Sequence, residues 1–334
     1  MSTTPPQLHE QLEAWVSGVF AFPVEVRNLT VLNGHAGLTY AFDVAHRSGD
    51  VVESLVLRLA PAGVRRRGSS DVLHQVLPLQ LLARVNFPVA TARFWGEDPR
   101  WFGVPFLVVR RMRGEPFDIE RGKAPRRQDF LTSVRLLGEF HRAIDIEELR
   151  GWDEVRSFEQ EIRSWDRALD KLSSASWHSL AVKCRAELLS AARFTPAVGL
   201  CHGDYQFSNL LFDEGELSAV LDWELAGLGP QIADLGWFMV INDQRSWAHK
   251  VGLDDRPSDA ELRATYEESA GLPVNPDQLT FSCALAAYRF AVIAGLNLQL
   301  HRTGRRIDNH WEHLEPSIPR LLDLSLDHLS MRRE

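Results

Sequence analysis

Leu200–Asn209 reads LCHGDYQFSN, and Leu221–Glu224, twelve residues further on, reads LDWE. Between them, Asn209–Phe212 and Leu217–Leu221 are short apolar runs across the acidic glycine turn DEGE, a composition that predicts a hairpin. Phosphoryl transfer to an alcohol needs a carboxylate to orient the hydroxyl and accept its proton, with oxygen ligands to hold Mg²⁺ against nucleotide phosphates. Asp204 is the candidate base. Asn209, and Asp222 brought back by the hairpin, are the candidate metal ligands. Asp and Asn beside glycine are ordinary turn residues, so HGD alone would say little. The ordered set of Asp, Asn five residues on, hairpin and Asp is far more constrained. His202 reads as a structural ring that hydrogen-bonds the loop backbone. Glu224 follows Asp222 by two and, in an extended segment, shares its face: it reaches metal-bound water or substrate, or it is a solvent-facing acid.

Working outward, the chain beyond Gly114 is dominated by helical periodicity: Arg127–Ala143, Ser157–Leu172, Leu180–Ala192, Ala260–Ala270, Asp277–Leu300 and His310–Leu329. The DEGE hairpin is the one β interruption expected there. Ahead of Gly114, Leu8, Leu12, Trp15, Val16 and Val19 recur at helical spacing. Strand-like runs follow at Val24–Leu32, Thr39–His46, Ser54–Leu59, Ala90–Gly96 and Pro105–Met112, with a helical stretch at Ser69–Val85 that, because of Pro78, is either kinked or two short helices. The expectation is α+β: an antiparallel-sheet lobe over residues 1–113 and a mainly helical lobe over 114–334, hinged near Arg110–Gly114.

The composition narrows the classes. Of 334 residues 45% are apolar and 25% charged, the profile of a globular chain. Net charge is −8, with 12 basic against 10 acidic residues up to Glu115 and 25 against 35 beyond it. So acidic a back half argues against nucleic acid as partner and suits metal ions or cationic small molecules. Cys184, Cys201 and Cys283 form no CxxC pair, which indicates neither a disulfide framework nor a zinc site. No basic-then-apolar leader opens the chain and no uncharged apolar run reaches 18 residues, so a cytoplasmic protein without membrane partner, monomer or homodimer, is expected. Of 37 basic residues 33 are Arg, and the four Lys are Lys123, Lys171, Lys183 and Lys250. The first 122 residues contain no lysine.

HGDYQFSN followed by VLDWELAGLGPQIADLGW resembles the aminoglycoside phosphotransferase family, in particular the branch similar to the kinase-like domains of acyl-CoA dehydrogenase fusion proteins. NGHAGLTYAF at Asn33–Phe42, LVLRLAP at Leu55–Pro61, PFLVVRRMRG at Pro105–Gly114 and YRFAVIAGLNLQLHRTG at Tyr288–Gly304 appear in the family's order. The resemblance implies a bilobal protein-kinase-like fold, a nucleotide-binding N-terminal lobe, a C-terminal catalytic and substrate-binding lobe, ATP or GTP, Mg²⁺, and a small-molecule hydroxyl as acceptor. Carried onto this chain, it makes Asp204 the base, Asn209 and Asp222 the metal ligands, and Asp234 a buried carboxylate bracing the catalytic loop. Gly34 and Gly37 offer backbone N–H groups to phosphate, and adenine pairs with hinge backbone near Arg110 and Met112. Trp223 and Trp237 are cleft walls or core.

Three departures stand out. Kinases place a Lys on the third strand, paired with a helix Glu. Here the only basic residue of that strand is Arg58, whose fork suits phosphate oxygens, and its partner is either Asp71 or Gln75. Gly229-Pro230-Gln231 stands where relatives have Gly-Asp-Pro. Arg65–Arg67 is a solvated turn or a contact for an anionic substrate. For the acceptor, a hydroxyacyl compound competes with an aminoglycoside or macrolide antibiotic. A dense acidic rim, which a polycationic acceptor needs, is not visible after Leu235, where 14 acidic and 11 basic residues are interspersed. A different class, a nucleotide-binding pseudokinase, is motivated by the missing Lys and helix Glu.

Overall fold

The structure, a computed structural model, describes residues 5–32, 38–61, 71–117 and 123–331. Gly34 and Gly37, expected at phosphate, and Arg65–Arg67 lie outside the described residues. In chain order the front elements are α1 (Pro5–Val19), β1 (Val24–Leu32), β2 (Leu38–His46), β3 (Val51–Leu59), a 3-10 turn (Val72–Gln75), α2 (Val76–Arg84), β4 (Ala92–Gly96), α3 (Pro99–Phe102) and β5 (Phe106–Arg110). The strands form one antiparallel sheet in the order β1-β2-β3-β5-β4.

Alternation along β3 decides its two faces. Leu55, Leu57 and Leu59 are buried with Leu8, Leu12, Trp15 and Val16 of α1, while Val56 and Arg58 stand on the opposite face. Trp15 centres that core, edge-on to Phe94 at 5.3 Å and Phe106 at 5.9 Å between ring centroids. Of the two alternatives for Ser69–Val85 the described residues are nearer to two short helices, and Pro78 sits in the first turn of α2, where its missing N–H leaves no helix bond unmade. The stretch is therefore a 3-10 turn, capped by the Asp71 carboxylate on the Leu73 N–H at 3.1 Å, followed by an α-helix.

The back elements are α4 (Arg127–Ala143), α5 (Phe158–Ser164), α6 (Asp166–Leu169), α7 (Ala175–Ala191), β6 (Val198–Cys201), β7 (Leu210–Asp213), β8 (Glu216–Val220), β9 (Gly227–Pro230), α8 (Ile232–Ile241), α9 (Asp259–Ala270), α10 (Pro276–Arg302), α11 (His310–Leu314) and α12 (Ser317–Ser330). Two expected helices are each split, at Trp165 and at Pro316, the latter because proline brings no N–H to continue a helix. The expected single β interruption is joined by a second: β6 pairs antiparallel with β9, matching Gly199 with Gly229. By length and composition α10 could cross a membrane, yet 72% of its most apolar window is buried inside the protein, as in a core helix. The three cysteines are free, and burial pushes the Cys184 and Cys283 thiols up to about 12.

The chain divides into two compact units, Met1–Glu115 with Leu211–Ala226, and Pro116–Leu210 with Gly227–Glu334. The expected division at 113/114 put the hairpin β7–β8 with the helices; contacts put it with the sheet. Val220 donates its N–H to Pro88 O at 2.8 Å, and Glu115 and Phe212 exchange backbone hydrogen bonds at 3.0 Å each. Gly114 makes that crossing possible. Its φ is +100°, and a Cβ there would lie 2.7 Å from Phe212 O.

Candidate active site

Within the helical unit, the loop after β6 carries Asp204 and Asn209. Asp234, in the first turn of α8, is buried and takes the His202 N–H on Oδ2 at 2.6 Å and the Gly203 N–H on Oδ1 at 2.9 Å. Behind it, His141 Nε2 lies 3.2 Å from Asp234 Oδ2 and His141 Nδ1 lies 2.7 Å from the Tyr266 hydroxyl. Burial alone would raise the Asp234 carboxyl. The hydrogen bond from His141, the nearby His141 and His202 rings and the His202 N–H outweigh it, and the group is held below the usual carboxylate range. Asp234 thus ties the loop to α4 and α9 through His141 and Tyr266. The Gly229-Pro230-Gln231 departure leaves this intact: Gly229 pairs in β9, and Gln231 Nε2 donates to His141 O at 2.8 Å.

The loop itself is preorganised. Gly203 has φ +81°, and the buried His202 ring accepts the Asp204 N–H on Nδ1 at 3.2 Å. The Asp204 carboxylate accepts Gln206 Nε2 on Oδ1 at 2.7 Å and Asn209 Nδ2 on Oδ2 at 2.9 Å. Removal from water raises Asp204 above its usual range, against the opposite pull of His202, Arg289 and the two amide donors. Arg289 of α10 was not foreseen. Its Nη2 donates to Gly203 O at 2.7 Å, and its guanidinium lies over Trp237 at 4.6 Å and Trp165 at 5.3 Å from the ring centroids. Trp237 is buried beneath it as core, its indole N–H without a partner among the described residues.

Within the sheet unit, a second group gathers around Arg58. Its Nη1 donates to Gln75 Oε1 at 3.0 Å, and its Nη2 to Asp222 Oδ1 at 2.8 Å and Glu224 Oε2 at 3.2 Å. Of the two candidate partners Gln75 meets Arg58, and Asp71 caps the 3-10 turn instead. Asp222 has φ +60° and ψ +61°, a left-handed backbone that Asp tolerates better than most residues and that is common at functional sites. The following turn is pinned: Trp223 Nε1 donates to Val220 O at 3.1 Å, its ring packs edge-on to Phe87, and His74 Nε2 lies 3.3 Å from Ala226 O. At the end of β5, the Arg110 N–H donates to Thr91 O and the Arg111 N–H to Ser54 O, both at 2.9 Å. Arg110 therefore cannot offer its N–H to a base. Met112, next in line, makes no backbone bond among the described residues and can.

Each candidate ligand, on its own unit, keeps an oxygen of the kind Mg²⁺ takes. Asn209 directs its amide N–H₂ to Asp204, which leaves the carbonyl oxygen for a cation, and Asp222 uses Oδ1 on Arg58 and keeps Oδ2. Among the described residues no three His, Cys, Asp or Glu side chains cluster as a cation site. A cation held by so few protein oxygens needs phosphate and water to complete its shell, which is the habit of Mg²⁺ in nucleotide sites.

A five-stranded antiparallel sheet with its covering helix, and a helical unit opening on an HGD loop braced by a buried Asp, define a protein-kinase-like α+β fold. The chain belongs to the aminoglycoside phosphotransferase family: residues 31–279 match the profile described as Phosphotransferase enzyme family. It is 25% identical over 260 residues to Acyl-CoA dehydrogenase family member 11 of Gallus gallus, covering 72% of this chain and 33% of that protein. The chain thus spans about a third of the length of the curated relatives it matches. Among solved structures, a Ralstonia eutropha protein described as an aminoglycoside phosphotransferase superposes with TM-score 0.74 at 20% identity, over 96% of this chain and 98% of that one. An amicoumacin kinase solved with AMP-PNP and Ca²⁺ superposes with TM-score 0.59 at 14% identity, over 96% of each chain.

Proposed function

We propose that the chain is an ATP-dependent phosphotransferase that moves the γ-phosphoryl group to a hydroxyl of a small molecule, with GTP as the alternative nucleotide. Asp204 orients the hydroxyl and accepts its proton. Asn209 and Asp222 contribute oxygens to Mg²⁺, which would neutralise phosphate charge when bound. Arg58 grips phosphate oxygens, and the Met112 N–H meets the adenine edge.

The observation that carries this reading is the setting of Asp204: a carboxylate withdrawn from water whose direct hydrogen-bond donors, Gln206 and Asn209, are neutral amides. Amides fix its direction without the loss of basicity that a bonded guanidinium would cause. Asp204→Asn tests it. Turnover is expected to fall by about 10²–10⁴, the usual worth of general-base help, with nucleotide affinity preserved. Undiminished phosphotransfer by that variant would overturn the assignment.

For the acceptor, a hydroxyacyl compound is the favoured class. The matches to acyl-CoA dehydrogenase family members support it, and so does the Arg289 guanidinium bonded to the residue before Asp204, where a polycationic antibiotic would meet repulsion. The reading as a pseudokinase draws on Arg58, which meets a neutral Gln75 where kinases have an acid. Nucleotide consumption across a panel of hydroxylated acyl compounds, aminoglycosides and macrolides separates the three. Nucleotide binding with no consumption on any acceptor would favour the pseudokinase.

A further inference from the structure

The guanidinium of Arg58 is about four-fifths buried on the sheet, with its side chain 22% exposed, and a charge in that setting needs an anion close by. The helix position that supplies the acid in kinases holds Gln75, whose carbonyl can direct Nη1 but cannot neutralise it. Two carboxylates face Nη2 instead. One is Asp222, whose charge a cation would share. The other is Glu224, 16% exposed at its side chain, with Oε2 at 3.2 Å. Glu224 stands on the turn Trp223–Leu225, held to β8 through Trp223 and to the turn bearing Gln75 through His74 and Ala226. Gln75 and Glu224 therefore approach the same guanidinium from two segments that are themselves tied together.

We propose that Glu224 is the counter-ion and positioning residue of Arg58: the acid that ordinarily sits on the helix has moved to the segment just after the metal-binding Asp, and Gln75 remains as a neutral guide. The inference rests on the reading of Arg58 as the phosphate grip. It separates two acids that sequence spacing alone leaves equivalent. Asp222 exchanges Arg58 for a cation, whereas Glu224 stays with Arg58 whether or not nucleotide and cation are present.

The test uses the full chain in EDTA and then with Mg²⁺ and ATP, comparing Glu224→Gln, Gln75→Glu, the double variant Gln75→Glu/Glu224→Gln, and Asp222→Asn. The readouts are the ¹⁵N-resolved side-chain signals of Arg58, assigned by their absence from Arg58→Lys, and the thermal midpoint. In EDTA, where Asp222 still faces Arg58, Glu224→Gln is expected to shift and weaken the Arg58 signal and to lower the midpoint by about 2–4 °C. Returning the acid to the helix in the double variant should recover both. With Mg²⁺ and ATP, where the cation takes Asp222 and phosphate also meets Arg58, Glu224→Gln should shift the Arg58 signal more than Asp222→Asn does. An Arg58 signal and thermal midpoint in Glu224→Gln that match wild type in EDTA, or a double variant that recovers nothing, overturns the inference. Nucleotide affinity unchanged in Arg58→Lys and Arg58→Met would instead sink the phosphate-grip reading, and the coupling between Arg58 and Glu224 would still be read from the metal-free measurements.

Discussion

The side-chain amide of Asn209 is bonded twice to Asp204, its Nδ2 lying 2.9 Å from both the carboxylate Oδ2 and the backbone O. The five-residue spacing is therefore a closed loop in which the candidate metal ligand fixes the candidate base. Asn209→Ala removes the donor and is expected to lower stability by about 1.5–3 kcal/mol, the worth of a hydrogen bond to a charged group. Asn209→Asp should cost more, because a second carboxylate would face the first. Urea unfolding midpoints order the three proteins, and an Asn209→Asp protein as stable as wild type would contradict the contact.

Asp234 leads to a pH prediction. Its folded pKa is depressed, so the stability it contributes is complete above the unfolded carboxylate value of about 4 and is lost as pH falls through the lower folded value. Asp234→Asn, which leaves His141 and two loop N–H groups without their anion, is expected to cost about 3–5 kcal/mol near neutrality. The gap between the variant and wild type should then narrow as the medium is acidified below pH ~4. Denaturant titrations across that range check it; a gap independent of pH would mean that Asp234 acts through shape and not charge.

What the sequence made legible follows physical range. The sheet was readable because β2, β3 and β5 alternate or cluster apolar residues over five to nine positions between turn signals. The pair β6–β9 was not, since each strand is four residues long and GLGP carries neither β-branched residues nor a period. Helix α8, IADLGWFMVI, is apolar on all sides and buried nearly throughout, so it has no amphipathic stripe to find. The candidates Asp204, Asn209 and Asp222 come from local spacing. Their supports were not: His141 reaches Asp234 across 93 residues, Arg289 reaches Gly203 across 86, and Glu224 reaches Arg58 across 166. A lysine-free front pointed to Arg58, but only the folded chain supplies its counter-ions.

Gly114 sits where the end of the sheet unit's first segment crosses β7. Gly114→Ala would place a methyl 2.7 Å from Phe212 O and 2.8 Å from Ser218 Oγ, on a backbone at φ +100°. Backbone cannot yield as a flexible side chain can, and the expected cost is about 1–3 kcal/mol or more. Hydrogen exchange offers the sharper readout. The Glu115 and Phe212 amides, paired with each other's carbonyls in wild type, should lose protection first. An alanine variant with wild-type protection at both would show that the crossing relaxes without strain.

Arg289 joins three kinds of contact on one guanidinium: the Gly203 carbonyl, the faces of Trp237 and Trp165, and Glu161, whose Oε1 lies 3.9 Å from Nη1 and also accepts the Trp165 indole N–H at 3.0 Å. Lysine keeps the charge but cannot both fork and stack, so Arg289→Lys is not a conservative change here. It is expected to lower stability by about 1–3 kcal/mol, and Arg289→Met by more, because the methionine leaves Gly203 O without its donor. A double-mutant cycle with Trp237→Leu isolates the stacking, for which a coupling of about 0.5–2 kcal/mol is expected. Indole fluorescence supplies the independent signature: two tryptophans lose one cation together, so the emission of Arg289→Met should change under native conditions, before unfolding begins. Additive losses with unchanged emission would reduce Arg289 to a hydrogen-bond donor for the loop and remove the aromatic sandwich from the account of how Asp204 is held.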